Sequence, residues 1–502
     1  MVKRGSITVF LALILGLILS LLSSGLESVR MASARTQILN GMDIGLYSLF
    51  GQYDKSLLKD YDLFAVDGAF GGKELDLASV YDELESYMKP VLKQNGQKLL
   101  VQQGGISGYQ LLTDADGEVF YQQAVRYMNE TLGSHGAQLL LDQVKGLQNK
   151  TAEAEKRGNE IEDKKTIENY DSEMNSAAQK SQKALEEKKK QEEQNKQGDS
   201  GFSDGKKLPS VTEDKKTPVK VKNPIPVIRK IRWKGILDLV LPANKAVSDK
   251  EVKKKELVSG RVLENGLYMD EGVASDNSLM SQIFFQQYLS EKLGNFMLPG
   301  NGGLSYEIEY ILGGKESDVA NLKIVARRLL LVREGINVAS LLADSEKMSQ
   351  IQTLATAIAA SFLIPPAAAI IESALILCWS FAESILDVRE LFAGGKVPLV
   401  KDASNWQLSL QNLPALTDKL DSDRKNDEKG LSYEDYLQVF LLAASKNEKV
   451  MRGMDMIECS IREQENWQNF KMDHCITALE ASVDVEANQR NTYTVVREYH
   501  YL

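Results

Sequence analysis

The strongest constraint on this chain lies at its start. From Gly5 to Leu26 the sequence reads GSITVFLALILGLILSLLSSGL, without one charge. As a helix these 22 residues rise about 33 Å, enough to cross the hydrocarbon core of a bilayer. The apolar core of a secretory signal is only about 7–15 residues long, so the length favours a retained anchor. Ser23-Ser24-Gly25 and Ala32-Ser33-Ala34 supply the competing reading, since both match small-residue cleavage sites. Lys3 and Arg4 precede the run, and Arg30 and Arg35 follow it. The free amino terminus tips this near-tie towards a cytoplasmic N-terminus. Residues 1–5 are then a cytoplasmic leader and residues 6–26 a single transmembrane helix. Ile7, Phe10 and Leu26 belong to the anchor, membrane lipid is the first partner, and the bulk of the chain is extracytoplasmic.

Residues 27–113 read as a stalk helix and a first strand region. Leu26, Val29, Ala32 or Ser33, Thr36 and Leu39-Asn40 keep a three-to-four spacing, which predicts a stalk reaching about Leu58. DYDLFAVDG (Asp60–Gly68) reads as a short strand closed by an Asp-Gly turn. An amphipathic segment follows (Leu75–Leu92, broken near Pro90), then a glycine-containing loop.

Residues 114–197 read as a helical hairpin or coiled-coil insertion. Ile167, Tyr170, Met174, Ala177, Ser181 and Ala184 have heptad spacing, but Leu185–Gln197 has no apolar face, which predicts a solvated, protruding hairpin. Residues 198–226, with Pro209, Pro218, Pro224 and Pro226, read as a disordered linker. RKIRWKG (Arg229–Gly235) after it reads as a solvated basic edge.

Residues 227–502 read as an α+β domain. Helical stripes run over Asp276–Phe296, Asn321–Asp344, the segment from Tyr436, and Val450–Ile461. Tyr306, Ile308, Tyr310 and Leu312 alternate with Ser305, Glu307 and Glu309, predicting a half-buried strand over Leu304–Gly314. Leu479–Glu486 alternates cleanly, and after a polar turn at Asn488–Thr492 comes YTVVREYHYL, predicting a terminal hairpin. The fold class is therefore α+β, predominantly helical. An N-terminal membrane and stalk helix is joined to a small antiparallel sheet that includes the C-terminal hairpin.

Ile351–Leu386 is a second apolar segment. Pro365-Pro366 interrupts it, alanine outnumbers leucine, and Glu372 and Glu383 follow. These features favour a buried helical hairpin over a second span.

The net charge of -10 argues against general nucleic-acid binding, which needs basic surface against phosphates. Three cysteines are too few for a disulfide scaffold, although Cys459 and Cys475 could pair outside the cell. The sequence contains no GxxxxGK[ST], HExxH, GxSxG or EF-hand loop. No catalytic, cofactor or metal residue is assigned. His474 beside Cys475 lacks a third group. Glu372 and Glu383 share a helix face but stand about 16 Å apart, too far to share one bond of a substrate. Arg327, Arg328, Arg333 and Arg389 are their candidate partners.

Several stretches resemble one family: KRGSITVFLALIL, LYSLFGQYDKSLLKDYDLFAVDG, NPIPVIRKIRWKGILDLVLPANKAVSDKE, YEIEYILGGKESDVANLKIVARRLLLVREGINVASLL, AESILDVRELFAGGKVPLVK and LSYEDYLQVFLLA. The family consists of membrane-anchored proteins of Gram-positive bacteria built on a domain of unknown function. It is related at the N-terminus to TadE/TadG-like pilus-assembly proteins. The resemblance covers most of the chain outside about 115–205. It implies a processing site at the Gly5-Ser6 junction, where type IV prepilins are cut after a basic leader. Phe10 stands where prepilins usually carry Glu at the fifth mature position, which argues against a major pilin. The expectation is a non-enzymatic, minor pilin-like component of a Tad-type pilus or secretion system. Its partners would be a prepilin peptidase and other subunits of the apparatus. The competing expectation is a surface-anchored binding module.

Overall fold

The computed structural model describes residues 3–94, 98–196, 222–267, 275–402, 404–420, 430–487 and 491–501. Helix α1 (Lys3–Phe50) is continuous from the apolar run into the body of the protein. It ends at Phe50 rather than near Leu58. Asp54 starts a separate helix α2 (Lys55–Tyr61) by accepting from Ser56 N and Leu57 N. The strand expected at Asp60–Gly68 shrinks to β1 (Val66–Asp67), because α2 and the left-handed Asp62 occupy its first half. Helix α3 (Leu77–Leu92) then runs back along α1.

The sheet has four strands. β2 (Leu99–Leu111) and the C-terminal β3 (Cys475–Ala487) pair antiparallel over their length. β3 also pairs with β4 (Asn491–His500) and, at its start, with β1. The two strands of the terminal hairpin therefore pair as expected, although Asn491 and Thr492 of the expected turn belong to β4 and residues 488–490 lie outside the described residues; the strand expected at Leu304–Gly314 does not form. That segment is helix α9 (Glu307–Gly313), closed by the left-handed Gly314. Its alternation misleads because Glu307 and Glu309 are as buried as Ile308 and Tyr310. The missing strand is β2, read as a loop because Gly104, Gly105 and Gly108 dilute its pattern and three irregularities break its register. Gly104 is required there: a Cβ would fall 1.8 Å from the Tyr81 hydroxyl of α3.

Two apolar cores result. The smaller joins Ala34, Ile38, Met42, Leu46 and Phe50 of α1 to Leu84 and Met88 of α3 and to Leu479–Val485 of β3. Gly45 of α1 leaves only 2.7 Å between an added Cβ and Met88 Cγ, so the two helices touch backbone to side chain. The larger core is helical. It gathers α4 (Asp114–Lys164), α5 (Thr166–Lys196), α6 (Ile225–Arg232), α7 (Ile236–Val240) and α8 (Leu279–Lys292). It continues with α10 (Asp318–Ala343), α11 (Ser345–Ser361) and α12 (Ala368–Ala393). The short α13 (Leu416–Lys419), then α14 (Tyr433–Ala443) and α15 (Lys446–Arg462), complete it.

Two helices form over 114–196, but the pair is rooted in the core rather than solvated along its length. Phe120, Tyr121, Ala124 and Met128 of α4 are buried, as are Ile167, Tyr170 and Met174 of α5. The first half of the heptad seam is spent inside the protein; from Gln182 to Gln191 α5 is exposed. α4 crosses α10 on two glycines. A Cβ on Gly158 would lie 2.2 Å from Leu331 O, and one on Gly335 2.0 Å from Ala154 O. Because both obstacles are backbone, Gly335→Ala is expected to lower stability by about 2–3 kcal/mol, measured by urea unfolding. A neutral result would mean that the helices do not cross here.

Part of the expected linker is helix, since α6 begins at Ile225; residues 197–221 lie outside the described residues. The basic edge is also not free. Arg229 pairs with Asp171 (2.6 Å), and Arg232 with Glu334 (3.0 Å) and Glu168 (3.3 Å), clamping α6 onto α5 and α10. Trp233 remains 77% exposed.

The second apolar segment is a buried hairpin of α11 and α12, broken at Pro365-Pro366. Pro365–Ala393 has the length and hydropathy of a span, but 67% of its apolar 18-residue stretch is buried. Glu383 does not pair with an arginine. Its carboxylate takes the Lys401 ammonium and the Gln407 and Leu408 N–H groups at 2.9 and 3.0 Å. Glu372, nearer the surface, accepts from Gln352 at 3.3 Å. Cys378, Cys459 and Cys475 are all free and buried, so the Cys459–Cys475 bridge is not made.

Candidate functional site

The residues singled out as an anchor share one surface. Ile7, Phe10 and Leu26 are 60, 63 and 61% exposed, and the window of highest hydropathy in α1 buries nothing against the protein. α1 is therefore an apolar rod for its first half and a packed stem for its second. The change falls at Ala34, the first residue of the run that is fully buried. Gly5 and Ser6 lie in the first turns of α1, ahead of the rod. Gly5 and Ser6 thus share one helix with Ile7, Phe10 and Leu26.

The stem is held by four kinds of contact. Apolar packing is the largest, as described above. Gln37 adds a cap: its Nε2 donates to Val91 O (2.9 Å) and Gln94 O (2.7 Å), carbonyls left unpaired where α3 ends. Phe50 closes the far end, with ring centroids 4.7 Å from Tyr499 and 4.9 Å from Tyr501. Arg497 of β4 pairs with Asp43 at 3.1 Å. Sequence spacing identified the rod and the start of the stem. It missed Gln37, whose role depends on a carbonyl end 54 residues away.

Two interior polar clusters were legible only in part. The first joins α10, α12 and the segment after α12. Arg333 contacts Asp387 at 2.9 Å, and Lys401 reaches Asp387 at 2.5 Å as well as Glu383. Asn337 donates to Asp387 and to Ser384, each at 2.9 Å, and Arg333 to Tyr436 at 3.1 Å. Burial pushes Asp387 up, but Arg333 and Lys401 outweigh it and hold the carboxyl below its usual range. Glu383 goes the other way: burial dominates and raises it. With every charge paired, this cluster locks helices together.

The second cluster lies at the start of α9. Glu307 accepts from Gly294 N at 2.6 Å. Glu309 accepts from Phe296 N at 2.8 Å and from the Tyr433 hydroxyl at 2.6 Å. Glycines close over the first carboxylate, and a Cβ on Gly300 would be 2.5 Å from Glu307 Oε2. Burial pushes both carboxyls up to about 7. A carboxyl titrating near neutrality has the property of a general acid or base. Here that property is enclosed by backbone.

The folded pKa of Glu309 stands above its unfolded value, so its contribution to stability is full below about 4.5 and is lost as pH rises through about 7. Relative to Glu309→Gln, the native protein should lose stability between about pH 5 and 8, measured by unfolding at each pH. A flat difference would show that the carboxyl is not buried. His474, which burial holds below its ordinary value, acts in the opposite direction and cancels in this comparison.

His474 and Cys475 do not form a pair. The Cys475 thiol donates to Lys471 O, and burial raises its pKa well above the ordinary value. No group of three or more His, Cys, Asp or Glu able to hold a metal occurs among the described residues.

Fold and surface together define a class: a predominantly helical α+β protein with an N-terminal helix long and apolar enough to cross a membrane. A family model described as a family of unknown function (DUF5702) matches residues 214–487, more than half of the chain. The chain belongs to that family. Comparison with curated proteins and with solved structures gave no match.

Proposed function

We propose that the protein is a membrane-anchored, extracytoplasmic structural or assembly component, a minor pilin-like subunit of a Tad-type pilus or secretion system. The observation that carries this reading is the unbroken α1. Its first half, Ile7–Leu26, is exposed along its whole length, and its second half is built into the sheet. An apolar rod of that length needs lipid or the helices of neighbouring subunits to cover it. The anchor crosses the membrane once, with the N-terminus cytoplasmic. Phe10, exposed on the rod where prepilins carry Glu, suits a subunit that does not polymerise. The partners are then a prepilin peptidase acting between Gly5 and Ser6, and other subunits of the apparatus. No enzymatic activity and no nucleic acid enter the proposal.

Mass spectrometry of the native N-terminus tests it. A chain starting at Ser6 supports the processed subunit; intact Met1 or a start at Leu26 contradicts it.

A second reading, a surface-anchored binding module, is favoured by one observation. The distal part of α5 is exposed, with Leu185 at 55%. Leu185→Asp should then abolish capture of a specific partner without changing membrane localisation. Unchanged capture would count against this reading.

A further inference from the structure

We infer that the end of the sheet nearest the apolar rod is a docking surface for anionic phospholipid headgroups. The inference rests on the reading of α1 as a membrane helix.

Because α1 is continuous, the height of the domain above the bilayer is fixed by helix rise. Arg30 lies about 6 Å beyond Leu26 and Met31 about 7.5 Å. The headgroup layer on each side of a bilayer is about 5–8 Å deep. Asn491 at the start of β4 contacts Met31, its Nδ2 3.3 Å from the sulfur. Asn491 pairs with Ala487, which in turn pairs with Leu99. Ala487, Asn491 and the start of β2 therefore stand at the level of the headgroups. The C-terminal end of α3 is held just behind them by Gln37.

The residues at this end are those an anionic interface selects. Val29, Met31 and Leu100 are 67, 39 and 54% exposed. Arg30, Arg35, Lys93 and Lys98 surround them and are exposed. Arg30, Arg35 and Lys93 make no ion pair or side-chain hydrogen bond among the described residues. Two acids share the region: Glu27, and Glu486, which is engaged by Gln102 Nε2 at 2.5 Å. Cations exceed acids although the whole chain carries -10. Exposed aliphatic groups among cations, continuous with a membrane helix, match a surface of lipid phosphates better than water. Seating on the leaflet would stop the sheet from swivelling on its helix and set its orientation for neighbouring subunits.

The test uses the full chain reconstituted into vesicles of phosphatidylcholine, alone or with about 30 mol% phosphatidylglycerol. Leu100→Cys carries an environment-sensitive fluorophore; the native cysteines are buried, so the unsubstituted protein is the blank. With phosphatidylglycerol the label should shift to the blue and its quenching by iodide should fall about threefold, an effect reversed by salt. Lys93→Glu with Arg30→Glu should abolish the difference. Both positions are exposed, so the fold is not at risk. Flotation of the same samples reports the anchor separately. Protein that floats with both vesicles but shows equal quenching contradicts the docking surface alone. Protein that floats with neither contradicts the anchor reading and the inference with it.

Discussion

Arg333→Met is expected to destabilise the protein by about 3–5 kcal/mol, more than any surface substitution. The Arg333 side chain is fully buried, and its charge is balanced by Asp387 at 2.9 Å. Methionine fills similar volume, so most of the loss comes from a carboxylate left in the core with one cation instead of two. Lys401 cannot move to compensate, since it is shared with Glu383. Denaturant unfolding should show a lower midpoint with an unchanged slope. Arg333→Met combined with Asp387→Leu should cost less than the sum of the two single changes, because the pair then vanishes together. If Arg333→Met cost no more than breaking the exposed Lys89–Glu85 pair, under about 1 kcal/mol, the network would not be the buried lock described here.

The second large effect concerns the rod. Leu13→Arg with Leu17→Arg places two guanidinium groups on one face near the middle of the apolar run. Each costs about 2.5–3.5 kcal/mol at the centre of a membrane helix, so together they should remove about 5–7 kcal/mol of insertion free energy. The purified double variant should stay behind when vesicles are floated, whereas the native protein floats. The body should remain folded, because the window of highest hydropathy contributes no buried residue to it. Near-ultraviolet circular dichroism and an unchanged unfolding midpoint would show that. Retained flotation would mean that membrane binding resides elsewhere, with the Phe362-Leu363 turn of the α11–α12 hairpin as the next place to look: these residues are 51 and 85% exposed.

What could be read from the sequence follows the range of the interactions involved. The rod, the terminal hairpin and the Pro365-Pro366 break are local patterns. Each depends on neighbours within a few residues, and each formed as expected. β2 depends on β3, nearly the whole chain away, and its Gly104 admits Tyr81 rather than making a turn. No local pattern could have announced it. α9 failed for a related reason. Alternation identifies a strand only when polar residues face water, and the carboxylates of Glu307 and Glu309 face Gly294, Phe296 and Tyr433 instead.

The helical pair at 114–197 was misjudged from its polar tip. Its root carries Phe120, Tyr121 and Met128, and it meets α10 through Gly158 and Gly335. A glycine on each of two helices gives no hint of partnership until the fold brings them together. The apolar rod was legible because a long uncharged run is a property of composition. Gln37 and Lys401 were not, because their value lies in a carbonyl end or a buried carboxylate supplied from elsewhere in the chain.

The proposed function makes this a single-pass protein with its N-terminus in the cytoplasm and its body outside. Protease shaving of intact cells, with one tag inserted at residue 200 and another at the C-terminus, tests it most directly. Both tags should be lost from intact cells, while a cytoplasmic marker protein survives until the cells are opened. Survival of the C-terminal tag alone would mean that the Pro365–Ala393 helix crosses the membrane once, and survival of both would place the body in the cytoplasm.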